Sequence, residues 1–140
     1  MTDIERWLHV FCQPGQAVEL RALQVQGKRA VCEVHGDLTQ LARRAAELDA
    51  AGAKGVYFTP NPVRLDLAGW TNSRLKAEDI VERRWLLIDA DTWRPAGTNA
   101  TEAELQLAWS VLDRCRATLD GAGLSGAVVG FSGNGWHLCY

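Results

Sequence analysis

Apolar residues along this chain recur at two spacings, near 3.6 and near two, so helical and extended patterns alternate. Ile4 to Phe11 reads as a short helix stopped by the Gln13-Pro14-Gly15 turn. Ala17 to Val25 alternates, with Val18, Leu20 and Ala22 on one face. Gln26-Gly27 turns it back into a second strand near Arg29 to Val34, which predicts a hairpin. Asp37, with Gln40 three residues on, has the form of an N-cap. It precedes a helix over Leu38 to Ala50 whose apolar stripe is Leu41, Ala45 and Leu48, and Gly52 closes that helix. Gly55 to Thr59 is a short buried strand ended by Pro60-Asn61-Pro62. Val63 to Ile80 reads as loop, with one helical turn after Lys76.

The second half carries stronger patterns. Arg84 to Asp91 (RWLLIDAD) reads as a central strand, followed by a loop over Arg94 to Asn99. Thr101 and Glu104 form a capping box ahead of a long helix that runs to about Asp120. Leu105, Ala108, Trp109, Leu112 and Leu119 fall at helical spacing, and Gly121 and Gly123 end the helix. Ala127 to Phe131 is a second strand, Ser132-Gly133-Asn134-Gly135 a tight loop, and Trp136 to Tyr140 a third strand.

These elements predict an α+β fold. An N-terminal αβ subdomain occupies residues 1–80. Residues 81–140 follow as β-α-β-β, the first half of a ferredoxin-like or RNA-recognition-motif-like unit whose full order is β-α-β-β-α-β. The pattern stops where the second helix and last strand are due, so the chain reads as truncated before them, with an exposed strand edge that invites association.

Length and charge narrow the function classes. One domain of modest core suits 140 residues of which 47% are hydrophobic. No run approaches the ~18 apolar residues of a membrane span. Two acids precede the first apolar run, which is not the form of a signal peptide, so a cytoplasmic protein is expected. The cysteines Cys12, Cys32, Cys115 and Cys139 are too scattered for a zinc site and are expected as reduced, mostly buried thiols. The net charge of -2 argues mildly against tight nucleic-acid binding through charge alone. Most of the six tryptophans are expected as core anchors or interface residues.

Two constellations carry possible chemistry. Asp89 and Asp91 alternate with Leu86, Ile88 and Ala90, so both carboxylates share one strand face with Cα atoms about 7 Å apart. Like charges this close need neutralising, and a hard divalent cation such as Mg²⁺ or Mn²⁺ does so. Two such ions can activate a hydroxyl and stabilise a leaving phosphate. A strand that simply ends in solvent has the same D-x-D form. The second constellation is Ser132-Gly133-Asn134-Gly135-Trp136-His137. A four-residue hairpin loop sets Phe131 opposite Trp136 and Gly130 opposite His137, leaving space over the glycine for a ligand. Loop N–H groups and His137 can then meet phosphate oxygens. An ordinary hairpin with a surface histidine fits the same residues. Trp136 and Tyr140 fall on the opposite face, toward the helix.

RWLLIDADTWRP at Arg84–Pro95 and SGNGWHL at Ser132–Leu138 resemble the catalytic core of the archaeo-eukaryotic-type primase superfamily, especially the primase-polymerases of phages, plasmids and other mobile elements. VELRAL at Val18–Leu23 and VYFTPNPV at Val56–Val63 resemble that group's N-terminal subdomain, so the resemblance covers nearly the whole chain. It implies a DNA primase/polymerase-type nucleotidyltransferase that makes primers from nucleoside triphosphates on a single-stranded DNA template. It also implies two divalent metals, Mg²⁺ or Mn²⁺, and often a replicative helicase as partner. Asp89 and Asp91 match the metal-binding acids. Ser132, Gly133, Asn134 and His137 match the motif at the incoming triphosphate, His137 also counting among the catalytic residues. Arg94 matches an arginine after the acids, placed with the nucleotide-binding set, and Asn61 matches the asparagine of the N-P element. Thr92 stands where the family often has proline, and the family's third acidic motif falls beyond Tyr140. The alternative is a non-catalytic module that binds nucleotide or single-stranded nucleic acid. A different metal-dependent phosphotransfer enzyme would need a third ligand from Glu19, Glu33, Asp66 or Asp79, none compellingly placed.

Overall fold

A computed structural model of the protein describes residues 2–71 and 74–140. It is α+β, with three α-helices and two three-stranded antiparallel sheets in two compact units, Met1–Arg84 and Trp85–Tyr140.

In the first unit, α1 (Asp3–Phe11) is opened by a capping box between Thr2 and Glu5. β1 (Val18–Val25) is central, flanked by β2 (Lys28–His35) and β3 (Gly55–Phe58), both antiparallel to it. α2 spans Leu38–Ala50, and the Asp37 carboxylate accepts from the Thr39 and Gln40 N–H groups at its start. Val18, Leu20 and Ala22 face the helices and join Leu8, Leu41, Ala45 and Leu48 in the main core. The other sheet face is partly covered by described residues of 63–71 and 74–80. This stretch is more ordered than a plain loop: short 3-10 turns form at Leu65–Leu67 and Ala77–Asp79, and Val63 bridges both Ala17 and Ile80. Val63 and Leu67 build a second small core there with Ala17 and Val34.

One charged group faces the main core side. Glu33 lies across from Leu20, so its side chain points toward α2. Arg44 meets it from that helix with Nε at 3.0 and 3.1 Å and Nη2 at 2.9 Å, and His35 lies 3.2 Å away. The Arg44 hydrogen bonds hold the Glu33 carboxyl below its ordinary range, against the opposing effect of burial. Because the folded value is depressed, this pair stabilises the fold fully above the ordinary glutamate pKa of about 4.3. That stability is lost as pH falls through the lower folded value. Glu33→Gln is expected to cost about 1–3 kcal/mol at neutral pH and to flatten the acid limb, as read by urea unfolding across a pH series.

The second unit contains β4 (Leu87–Asp91), α3 (Glu102–Gly121), β5 (Val128–Phe131) and β6 (Gly135–Cys139). The strand order is β4-β6-β5, so the last strand is central and β4 is an edge. Thr101 and Glu104 form the expected capping box. α3 covers one sheet face, where Ala90, Leu112 and Leu138 form the core with Ile88, Trp136 and Tyr140 against them. Trp136 packs edge-on to Trp109 at 4.9 Å between ring centroids and donates from Nε1 to the Leu105 carbonyl.

The tryptophans depart from one half of the expectation, that of core anchors: none is fully buried, though Trp136 packs against the second unit's core. Trp7, Trp70, Trp93 and Trp109 are all substantially exposed, Trp93 at 95%. In the second unit one helix on three short strands is too thin a layer to enclose an indole on all sides. The cysteines do match, with Cys12, Cys32 and Cys139 buried, Cys115 partly so and all four free. Among the described residues no helix is long and apolar enough to cross a membrane.

Candidate functional site

The sheet face opposite α3 carries the candidate chemistry. Period-two alternation turns Ile88 and Ala90 toward the helix and Asp89 and Asp91 away from it. β4 pairs with β6 so that Asp89 lies directly opposite His137 and Asp91 opposite Gly135. β5 pairs on the other side, with Gly130 opposite His137 and Phe131 opposite Trp136, the register a four-residue loop dictates. Asp89, Asp91, His137 and Gly130 therefore meet on one open face.

Each carboxylate has a cationic or polar neighbour. His137 Nε2 lies 3.2 Å from Asp89 Oδ1, both side chains partly exposed. Arg94 Nη1 donates to Asp91 Oδ1 at 2.9 Å, and the Thr92 N–H donates to the same oxygen at 3.0 Å. The hydrogen bond from Arg94 is the main reason the Asp91 carboxyl is held below its usual range, with the Thr92 N–H and the charges of Arg94 and His137 adding to it.

Arg94 and Asn134 also do local structural work. Arg94 bonds the Thr92 hydroxyl at 2.8 Å through Nη1 and the Thr98 carbonyl at 3.1 Å through Nε, folding the loop after β4 around itself. Asn134 Oδ1 accepts from the Ala100 N–H at 2.8 Å, and its carbonyl accepts from the Thr92 hydroxyl at 3.3 Å. The hairpin tip is thereby pinned to the loop that leads into α3. Ser132 closes the turn on the Gly135 carbonyl, at 3.0 Å through its N–H and 3.2 Å through its hydroxyl. Gly133, at φ +90°, supplies the left-handed turn conformation.

Gly135 is required for a different reason. A Cβ there would lie 2.7 Å from the Ala90 carbonyl oxygen and 3.0 Å from both Asp91 Cα and Oδ1. The missing side chain lets the end of β4, with its acid, close onto the hairpin. Gly135→Ala is expected to cost about 1–3 kcal/mol through overpacking and to move Asp91, measurable as a lowered Tm and shifted Asp91 and His137 NMR signals.

Comparison of the chain with protein-family models, with curated proteins and with solved structures returns no match. Its chemistry therefore rests on its own residues. A cavity of about 380 Å³ borders β4 and α3, and Asp89, Asp91, Trp93 and Glu104 are among its lining residues. The sequence reading gave Glu104 only its capping role and gave Trp93 none. An acid in the first turn of the helix that follows the D-x-D loop is the signal that was there to use. Among the described residues no group of three or more His, Cys, Asp or Glu side chains is arranged to hold a metal ion. Two carboxylates do suit Mg²⁺ or Mn²⁺ of the kind that keeps its waters and takes further oxygens from substrate phosphates. Asn61, matched by sequence but without a derived role, accepts from the Arg84 N–H at 2.8 Å and ties down the end of the first unit.

Proposed function

We propose that the second unit grips a metal-bound nucleoside triphosphate, as the nucleotide site of a DNA primase/polymerase-type nucleotidyltransferase. One observation carries this reading: the acids of the D-x-D strand and the histidine of the glycine hairpin are cross-strand neighbours on a single open face, Asp89 directly opposite His137. The β-α-β-β order and the β4-β6-β5 arrangement support reading this unit as RNA-recognition-motif-like.

In this reading Asp89 and Asp91 would hold a divalent cation, which when bound would supply charge stabilisation at the phosphoryl oxygens and lower the pKa of the attacking hydroxyl. His137 stands over Gly130, where the absent side chain leaves room, and donates to a phosphate oxygen. Asp89 orients that ring from 3.2 Å. Arg94 keeps Asp91 ionised and aimed until phosphate and cation arrive. Positioning and fixed charges provide most of the rate.

A second reading, a nucleotide- or nucleic-acid-binding module without catalysis, is favoured by one fact. Both acids already have protein partners, Asp91 the guanidinium of Arg94 and Asp89 the ring of His137, so an oxygen of each is engaged before any metal binds. Primer extension on single-stranded DNA with Mn²⁺ separates the two. Template-directed incorporation supports the enzyme, whereas nucleotide binding without incorporation supports the module.

A further inference from the structure

α1 and α2 pack together over the sheet of the first unit, and a recess of about 380 Å³ opens beside them that the nucleotide reading does not use. That volume is at the small end of the range for small-molecule sites. Its floor is apolar, made by the buried side chains of Leu8, Leu20 and Leu41.

The sequence of α2 explains both the space and its one charge. Leu41, Ala45 and Asp49 recur every four residues and so share one helix stripe, and all three line the recess. Ala45 is buried but small, which leaves room between its two longer neighbours. Asp49, a turn further on, is exposed and puts a carboxylate at the edge of an otherwise apolar lining. Among the described residues that line the recess, it alone is charged.

That charge has no counterpart on its own helix. Arg43 and Arg44 are engaged by Glu47 and Glu33, and the last turn of α2 carries no basic residue. Asp49 lies in that last turn, where the carbonyl end of the helix adds partial negative charge of its own. Two aromatic residues, Trp7 and Phe58, complete the lining. Trp7 is half exposed but stacks on Phe11 at 6.1 Å between ring centroids, and Phe11 meets Phe58 at 5.9 Å. This packed row holds the indole in place before any ligand arrives, which lowers the ordering cost of binding.

We propose that this recess binds a small organic cation, an ammonium group carried on an apolar body. The body lies on the leucine floor, and the ammonium meets the Asp49 carboxylate beside the aromatic lining, where ion pairing and cation–π attraction both favour positive charge. An anion of the same shape would meet like charge from Asp49 and from the helix end. A neutral molecule would gain the apolar contact alone. The site lies wholly within the first unit and does not rest on the function proposed above.

The experiment is calorimetric titration of the whole chain with hexylammonium, hexanol and hexanoate, which share one apolar body and differ in charge, with methyl NMR to locate the contact. Hexylammonium is expected to bind saturably, on the order of millimolar, and to shift the methyl signals of Ile4, Ala45 and Val56. Hexanol is expected to bind about tenfold more weakly, and hexanoate more weakly still. Asp49→Asn, an exposed change that leaves the core intact, is expected to bring hexylammonium down to the level of hexanol. Ala45→Leu is expected to fill the recess and abolish binding of both. The proposal is overturned if the parent does not bind hexylammonium, or if hexanol or hexanoate binds as tightly. Retention of the full preference for hexylammonium in a folded Asp49→Asn overturns it equally.

Discussion

Asparagine at both Asp89 and Asp91 is expected to leave the second unit folded and to reduce metal-dependent nucleotide incorporation by about a thousandfold or more. The substitution keeps size and hydrogen-bonding capacity and removes both negative charges. On the proposed function it would therefore remove the hard anionic ligands and, with them, several kcal/mol of charge stabilisation at the transferring phosphate. The cost to the fold is small because the two partners, His137 and Arg94, reach these acids on a partly exposed face. Exposed pairs contribute about 0–1 kcal/mol each, and relief of the repulsion between the two acids acts the other way. Primer extension and thermal melting on the same preparations read both halves of this result. A loss of incorporation that tracks a loss of Tm would place the two acids in folding rather than in chemistry.

The second large effect is on stability. Leu112→Ala is expected to cost about 2–5 kcal/mol and to unfold much of the second unit at ambient temperature. Leu112 is 1% exposed and forms, with Ala90 and Leu138, the buried cluster between α3 and the sheet. A core of that size has little margin, and no second helix layer is present among the described residues to close over the cavity. The expected readout is loss of the dispersed methyl signals of Leu138 and Ala90, with signals of the first unit's core, such as Leu20 and Leu41, retained. A variant that melts within a degree of the parent would show that α3 is held by something other than this contact.

Much of the site was legible in the sequence because it follows from strand arithmetic. The period of two sets Asp89 and Asp91 on one face, and a four-residue turn sets Gly130 opposite His137. Caps were equally readable: Asp37 and Gly52 delimit α2, and Thr101 with Glu104 opens α3. Which strand β4 would pair with was not written locally. That Asp89 meets His137 depends on β6 lying between β4 and β5, a choice made by the packing of Ala90 and Leu138 on Leu112. The partners of polar side chains were hidden for the same reason. Arg94 turns back onto Asp91 and Thr98, and Asn134 reaches Ala100, contacts that exist only once the loop after β4 has folded over the hairpin. Residues 63–71 and 74–80 read as loop because their order comes from lying on a sheet face and not from local periodicity.

The most direct test of the central claim is calorimetric titration of the chain with a nucleoside triphosphate in the presence and absence of Mn²⁺, repeated with Asp89→Asn and with His137→Ala. Saturable binding that requires the metal, is lost in Asp89→Asn and is weakened in His137→Ala is the expected result. A folded chain that binds no nucleotide with Mn²⁺, or that binds it equally well in both variants, would contradict the assignment of this face as the nucleotide site.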